Sequence, residues 1–452
     1  MMVSTIEPIK VNIQLGNTPV AQTTFDLALL IGVKVPSFFA NILSGESGLK
    51  FTAKTPGQVY INIVYTVSGQ NTVLGANRTG NGTSTDPYVI DLRVGTNANS
   101  LPTSTASDIR IAAKAVIDID QIVDIEFLGT DGSGVVSAVE ATPLAYERYI
   151  EISSADDLLE LGFVDTDLEY KKAQAFFAQS SAPSRLAVFL LTAWKNVETE
   201  IAALRNRGKD TWYKVFGTTN AKADIIKNSN YFASIKKRYV GLTSDITILV
   251  GRNENRELLI LHSDPSNHAD ARFLGETVAR PVGSFNPAYL KLNGATNSGY
   301  TTSATNSILN DKGNIIALFS GFEVFWPGKT TGGAYDDVID IRDWLQAGLK
   351  EDVSSVFLNN QKIGWTPSSL SLIVSAMRDR FTSAGQAGII ARVETEEDLT
   401  RSDLADFQYK LFVPDFDSIP DNDRDNRKFP PIKFRARLQG AINTVDIEGE
   451  LD

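Results

Sequence analysis

His262 and His268 are the only histidines of the chain and stand six positions apart in "HSDPSNHAD". Imidazoles shuttle protons and bind metals near neutral pH, but this spacing does not put both on one helical face, so surface or capping histidines are expected. Asp336 and Asp337 in "TTGGAYDDV" offer a carboxylate dyad, although acids in the first turn of a helix are favoured by its dipole alone. "DNDRDN" (421–426) has the alternating acids of a calcium loop, yet Asn426 stands where that loop needs Gly and Ile432 where it needs a bidentate Glu. "GTDGSG" (129–134) begins like a phosphate loop, but no Lys-Ser/Thr follows and it runs into "VVSAV", which reads as a strand after a hairpin turn. There is no G-x-S-x-G, no Rossmann fingerprint and no cysteine. The inventory predicts a protein that is not an enzyme, with no catalytic, metal or cofactor residues.

The elements that carry these residues describe a packed protein. The 452 residues are 42% hydrophobic and 21% charged, with a formal charge of -11 spread along the chain; this favours solubility and argues against nucleic acid as a partner. No stretch approaches the length of a membrane span, and the first residues lack the basic and apolar regions of a signal peptide. Synthesis and folding in cytoplasm, without direct membrane binding, are expected.

Period-2 patterning marks Ile9, Val11, Ile13 and Leu15 as one face of a strand, and the short, continuous apolar stretch "FDLALLIGV" (25–33) fits a buried one. Residues 45–145 read as an inserted α+β domain. Its strands are "QVYINIVYTV", "YVIDLRV" and "IVDIEFLG", and its helix is capped by Thr105 with Asp108 at N3 and a stripe of Ile109, Ala112, Ala113, Val116 and Ile117. Residues 146–330 read as an α/β domain, in which from Leu186 to about Ile260 strands and helices alternate ("LAVFLL", "WYKVFG", "RYVGLT", "ITILVG", "RELLILH"), the rhythm of an α/β layer with a largely parallel sheet. Residues 331–452 read as a C-terminal domain. One helix carries Val338, Ile341, Trp344, Leu345, Leu349, Val353, Val356 and Phe357. The next is bounded by Thr366-Pro367 and Gly385, with Leu370, Ile373, Val374, Met377 and Phe381 as its stripe. The fold class is therefore α/β and α+β multidomain.

The ends are patterned as strands. Ile432, Phe434, Ala436 and Leu438 alternate with Lys433, Arg435, Arg437 and Gln439; further on, Ile442, Val445, Ile447 and Leu451 are set against Asp446, Glu448, Glu450 and Asp452. Terminal strands either close the protein's own sheet or pair with another copy. The second case joins unlike surfaces and generates rings or helical filaments.

"AQAFFAQSSAPSRLAVFLL" (173–191), "GGAYDDVIDIRDWLQAGLKEDV" (332–353), "KIGWTPSSLSLIVSAMRDRFTSAGQAGII" (362–390) and "DRDNRKFPPIKFRARLQGAINTVDIEGEL" (423–451), in that order, resemble the tail sheath proteins of contractile bacteriophages. The resemblance covers the start and roughly 146–452. "LKFTAKTPGQVYINIVY" and "DGSGVVSAV" resemble an inserted segment of one branch of such proteins. It implies a virion component assembled in the host bacterial cytoplasm. Copies would stack as six-membered rings around a tail tube, joined by exchanged terminal strands, and would contract by rigid-body rearrangement without nucleotide hydrolysis. Its partners would be itself, the tube protein, and baseplate and tail terminator proteins. The linking arms would be 1–44 and 429–452, with Arg435, Arg437, Asp446 and Glu448 as charge contacts and a helix around 368–381 on the tube. A virion decoration or adhesin that binds sugars through 45–145 is the alternative; Tyr60, Tyr65 and Tyr88 are its only Tyr or Trp side chains.

Overall fold

The computed structural model describes residues 25–34, 41–44, 48–55, 60–83, 85–127, 131–143, 148–400, 402–403 and 406–443. Two compact units divide the chain, one made of Ile31–Gln174 with Ala187–Asn196 and the other of the remainder. Helices and several small sheets build them, a mixed α/β architecture of the expected class.

In the first unit Asn41–Ser44, Leu49–Ala53 and Val123–Phe127 form an antiparallel sheet. A second sheet runs Gly75–Thr79, Tyr88–Arg93, Ile61–Thr66, Val139–Pro143, with its two central strands parallel. Alternation along each strand turns Leu49, Phe51, Ile61, Ile63, Ile90 and Ile125 into one shared core. Phe51 meets Tyr65 of the other sheet edge-on at 6.4 Å. Burial of each such side chain contributes roughly 1.5–3 kcal/mol.

The helix of this unit, Ala106–Lys114, starts where the sequence pattern puts it. Thr105 Oγ1 accepts from the Asp108 amide at 3.2 Å, and Asp108 Oδ2 accepts from the Thr105 amide at 2.9 Å, a reciprocal capping box. It ends earlier than the stripe implied. Because a separate turn, Ile117–Asp120, begins after Val116, Ile117 is exposed and Ile119 enters the core instead. The strand expected at "VVSAV" likewise begins only at Val139; Val135 makes a single bridge to Thr105.

In the second unit Lys214–Gly217, Arg238–Thr243 and Glu257–Leu261 are neighbouring parallel strands. The helix Lys222–Ser234 makes the first crossover. "ITILVG" is not a strand: Asp245 accepts from the Thr247 amide at 2.9 Å and winds Ile246–Leu249 into a 3₁₀ turn. The histidines are not at the surface, being 2% and 7% exposed. His262 Nδ1 accepts from the Asp264 amide and its Nε2 lies 3.1 Å from the Thr296 carbonyl, which puts the ring proton on Nε2. His268, at φ 54°, joins the Pro265–Asn267 turn to the helix Ala269–Val278.

The C-terminal part holds the long helix Asp336–Asn359 and the helix Pro367–Gln386, capped by Thr366 Oγ1 on the Ser369 amide at 3.2 Å. Gly385 does not stop the second helix. It lies in the last turn, where a Cβ would come within 2.3 Å of the Phe407 ring, and the left-handed residue that ends the helix is Gly388 at φ +75°.

Loss of the Thr105 cap gives a direct check on the first unit. Thr105→Ala is expected to lower its stability by about 1 kcal/mol, read as an earlier urea midpoint with faster amide exchange at 106–109. No change at those amides would show that the capping box contributes nothing.

Candidate assembly interface

Lys214, Arg238 and Arg256 stand at or just before the first residues of the three parallel strands. Opposite them, Asp336, Asp340 and Asp343 follow each other at spacings of four and three along the long helix, which aligns them on one helical face. Lys214 Nζ lies 2.6 Å from Asp340 Oδ2 and 3.7 Å from Asp336 Oδ2. Arg238 bonds Asp336 Oδ1 and, at 2.7 Å, Asp340 Oδ1. Arg256 forks onto Asp343 at 2.5 and 3.0 Å, and the Tyr213 hydroxyl donates to the same carboxylate at 2.8 Å.

Arg238 and Asp336 are each 1% exposed. Burial works against the Arg238 charge, but Asp336 and Asp340 outweigh it and raise the pKa. For Asp340, burial dominates and raises the carboxyl despite Lys214 and Arg238. Burial also pushes Asp343 upward, and the Arg256 fork overrides it to hold the carboxyl low. Among the described residues the adjacent Asp337 has no such ion pair: burial first, then repulsion from Asp336, raises it to about 6. Asp336 and Asp337 thus differ in setting, since Asp336 is fixed between cations and Asp337 lies partly buried beside another carboxylate.

The sheet beyond is carried by Phe381. Its ring, fully buried, stacks on Tyr409 at 5.0 Å and meets Phe434 at 4.8 Å. Those two aromatics belong to Tyr409–Phe412 and Lys433–Ala436, an antiparallel pair that forms a two-stranded sheet. Arg380 locks the helices beneath it with a two-point bond to Asp352 at 2.7 and 2.9 Å.

The alternation expected of "IKFRARLQG" is present. Ile432, Phe434, Ala436 and Leu438 pack on this core, while Lys433, Arg435 and Arg437 are exposed. Arg435 lies over the Phe412 ring at 5.8 Å. Arg437 approaches Asp398 at 3.7 Å, and Leu438 bridges to Ile390. Ile442 is 82% exposed. Ile9, Val11, Ile13, Leu15, Val445, Asp446, Ile447, Glu448 and Leu451 lie outside the described residues.

Residues 336–451, from the first acid of the long helix onward, match the family described as "E217 tail sheath protein gp31-like, C-terminal domain". That stretch is similar in sequence to a tail sheath protein's C-terminal domain. Two solved structures share the fold. One is a chain of the cryo-EM structure of the anti-feeding prophage (AFP) baseplate, 6-fold symmetrised, with a TM-score of 0.50 at 11% identity, covering 100% of both chains. The other belongs to the PVC sheath complex of an extracellular contractile injection system in the contracted state, with a TM-score of 0.50 at 14% identity, covering 68% of this chain and 88% of that one. No curated protein matches the chain in sequence.

The charge row that holds the sheath-like domain was missed by sequence reasoning. Its signals were a cation at or before the first residue of each apolar strand run and acids repeating at four and three in the helix.

Two neighbouring acids should respond in opposite directions. Asp340→Asn strips Lys214 and Arg238 of a buried partner and is expected to cost about 3–5 kcal/mol. Asp337→Asn is expected to stabilise at pH 7. The Asp337 carboxyl is raised in the folded chain to about 6 from an ordinary 3.8, so its favourable protonation is complete below that ordinary value and is lost as pH rises through 6. Allowing for partial exposure, the gain is ~1–2 kcal/mol. Thermal melts from pH 4 to 8 check both, and a wild-type profile identical to that of Asp337→Asn contradicts the assignment.

Proposed function

We propose that this chain is the structural subunit of a contractile tail sheath, polymerising in stacked six-fold rings around a tail tube through exchanged terminal strands. The observation that carries the reading is the two-stranded sheet of Tyr409–Phe412 and Lys433–Ala436 within a sheath-like domain. Asp403 covers the outer edge of Tyr409–Phe412, so it is the outer edge of Lys433–Ala436 that would accept a further strand, and the pair is mounted on Phe381. Terminal segments 1–44 and 429–452 supply matching strands: Ile9 to Leu15, and Ile442 with Val445, Ile447 and Leu451, would pair with neighbouring copies. Arg435 and Arg437 would meet acids such as Asp446 and Glu448 of another copy. Residues 45–145 would form an outer domain, as their own core supports, 146–330 the α/β body and 331–452 the sheath core. The face of Pro367–Gln386 would meet the tube, and baseplate and terminator proteins would meet the ends of the stack in the virion. Contraction would then be rigid-body repacking between two arrangements, with no chemical step.

The adhesin alternative has little to stand on. Tyr65 is buried in the core and Tyr88 is covered by the Arg78 guanidinium at 4.6 Å, which leaves Tyr60 as the exposed tyrosine of 45–145.

Truncation tests the arm. Removing Lys433 onward would unfold the domain, because Phe434, Ala436 and Leu438 pack on its core. A chain ending at Asn443 keeps them and is expected to melt like the intact chain, yet to form no rods or tubes in negative-stain microscopy under conditions where the intact chain does. Rods from the shortened chain would refute the exchange of this arm.

A further inference from the structure

Ile315–Phe319 and Phe322–Trp326 form a hairpin whose register sets Phe319 directly opposite Phe322. Period-2 alternation puts both on the face that also carries Trp326. Toward the base this face is buried, at Ile315 and Val324, but at the tip Phe319 and Phe322 are 39% and 57% exposed. Tyr289 completes the patch, its ring 5.6 Å from Phe319 and 4.9 Å from Trp326. A bulky residue at φ 65° is a true backbone outlier, and what it secures is specific. Tyr289 directs its hydroxyl to the Asn443 carbonyl at 2.7 Å, while Asn286 Nδ2 bonds Asn443 Oδ1 at 2.6 Å. The strained residue therefore touches both the aromatic patch and the last described residue of the chain.

We infer that this patch is a docking platform for residues 444–452 of the same chain. Three observations select that occupant. The segment starts at the patch, because Asn443 is bonded to a member of it. Its apolar residues Val445 and Ile447 fall on one face at strand spacing, and four extended residues reach roughly 13 Å, enough to pass from Tyr289 over Phe319 to Phe322. The segment is also acidic, with Asp446, Glu448 and Glu450, and a cation stands beside the patch, the Lys291 ammonium lying 4.2 Å from the centre of the Phe322 ring. In the free chain the arm is thus stowed on its own body, and pairing with another copy requires its release.

The chain has no cysteine, so an introduced pair reports cleanly. Phe322→Cys with Ile447→Cys, oxidised mildly at a dilution that keeps the protein monomeric, is expected to close an intramolecular disulfide about tenfold faster than a control pair. The control is Leu358→Cys with Ile447→Cys. Asp336 bonds the Gly328 carbonyl close to Trp326, and Leu358 lies roughly 33 Å further along the long helix. As a second measurement on unsubstituted residues, amide exchange at 318–323 should quicken in the chain ending at Asn443. Disulfide-linked dimers as the main product, closure no faster than the control, or unchanged exchange would each overturn the inference. All are read on monomers, so the result is independent of whether rods form.

Discussion

The C-terminal domain depends on a row of cations at the leading ends of three parallel strands meeting a row of acids on one helical face. Attraction alone is a poor measure of such a contact, because desolvating six charged groups costs about as much as their pairing returns. Its value is positional. Lys214, Arg238 and Arg256 are held at adjacent strand ends, so their separation is set by the sheet, while Asp336, Asp340 and Asp343 have theirs set by the helix. A slip of the long helix by one turn, about 5.4 Å, leaves a buried charge unpartnered at each end. Apolar packing of Ile341, Leu345 and Leu349 would resist such a slip far less, since one aliphatic surface resembles another.

Rigidity then passes outward through named contacts. The long helix is clamped to its neighbour by Asp352 and Arg380, the neighbour presents Phe381, and Phe381 supports both strands of the terminal sheet through Tyr409 and Phe434. A sheet so small is marginal alone; here its inner face is part of a core, and on the Tyr409–Phe412 edge Asp403 bonds the Tyr409 carbonyl and the Leu411 amide, which leaves the Lys433–Ala436 edge as the one free to vary. On the proposed reading, strand exchange would use that one edge while the face stays fixed.

Sequence pattern made most elements legible, and the failures share a cause. Strands with one buried face announced themselves by alternation, as in Ile61–Thr66 and Lys433–Ala436. Helices with strong caps, Ala106–Lys114 and Pro367–Gln386, were placed to within about a turn. What misled was local side-chain chemistry overriding an apolar run: Asp245 turned "ITILVG" into a 3₁₀ turn, and the early end of Ala106–Lys114 exchanged Ile119 for Ile117. The charge row was invisible for a different reason. Acids at helical spacing and cations at strand starts are ordinary surface features, and only the crossing of helix over strands buries them against one another.

The same distinction bears on how copies would meet. The exposed face of Lys433–Ala436 and its continuation is cationic, with Lys433, Arg435 and Arg437, whereas the sequence after Asn443 alternates apolar with acidic residues. On the proposed reading the arm has two surfaces to choose between, the aromatic hairpin of its own body and the open sheet edge of another. Both offer apolar contact and a nearby cation, but the sheet edge adds main-chain hydrogen bonds, each contributing about 0.5–1.5 kcal/mol net. Several such bonds favour the neighbour once it is concentrated in a growing stack, while the arm's own body wins at high dilution because its effective concentration is fixed by the tether. Stowage and exchange are then successive states of one segment, and subunit concentration decides between them.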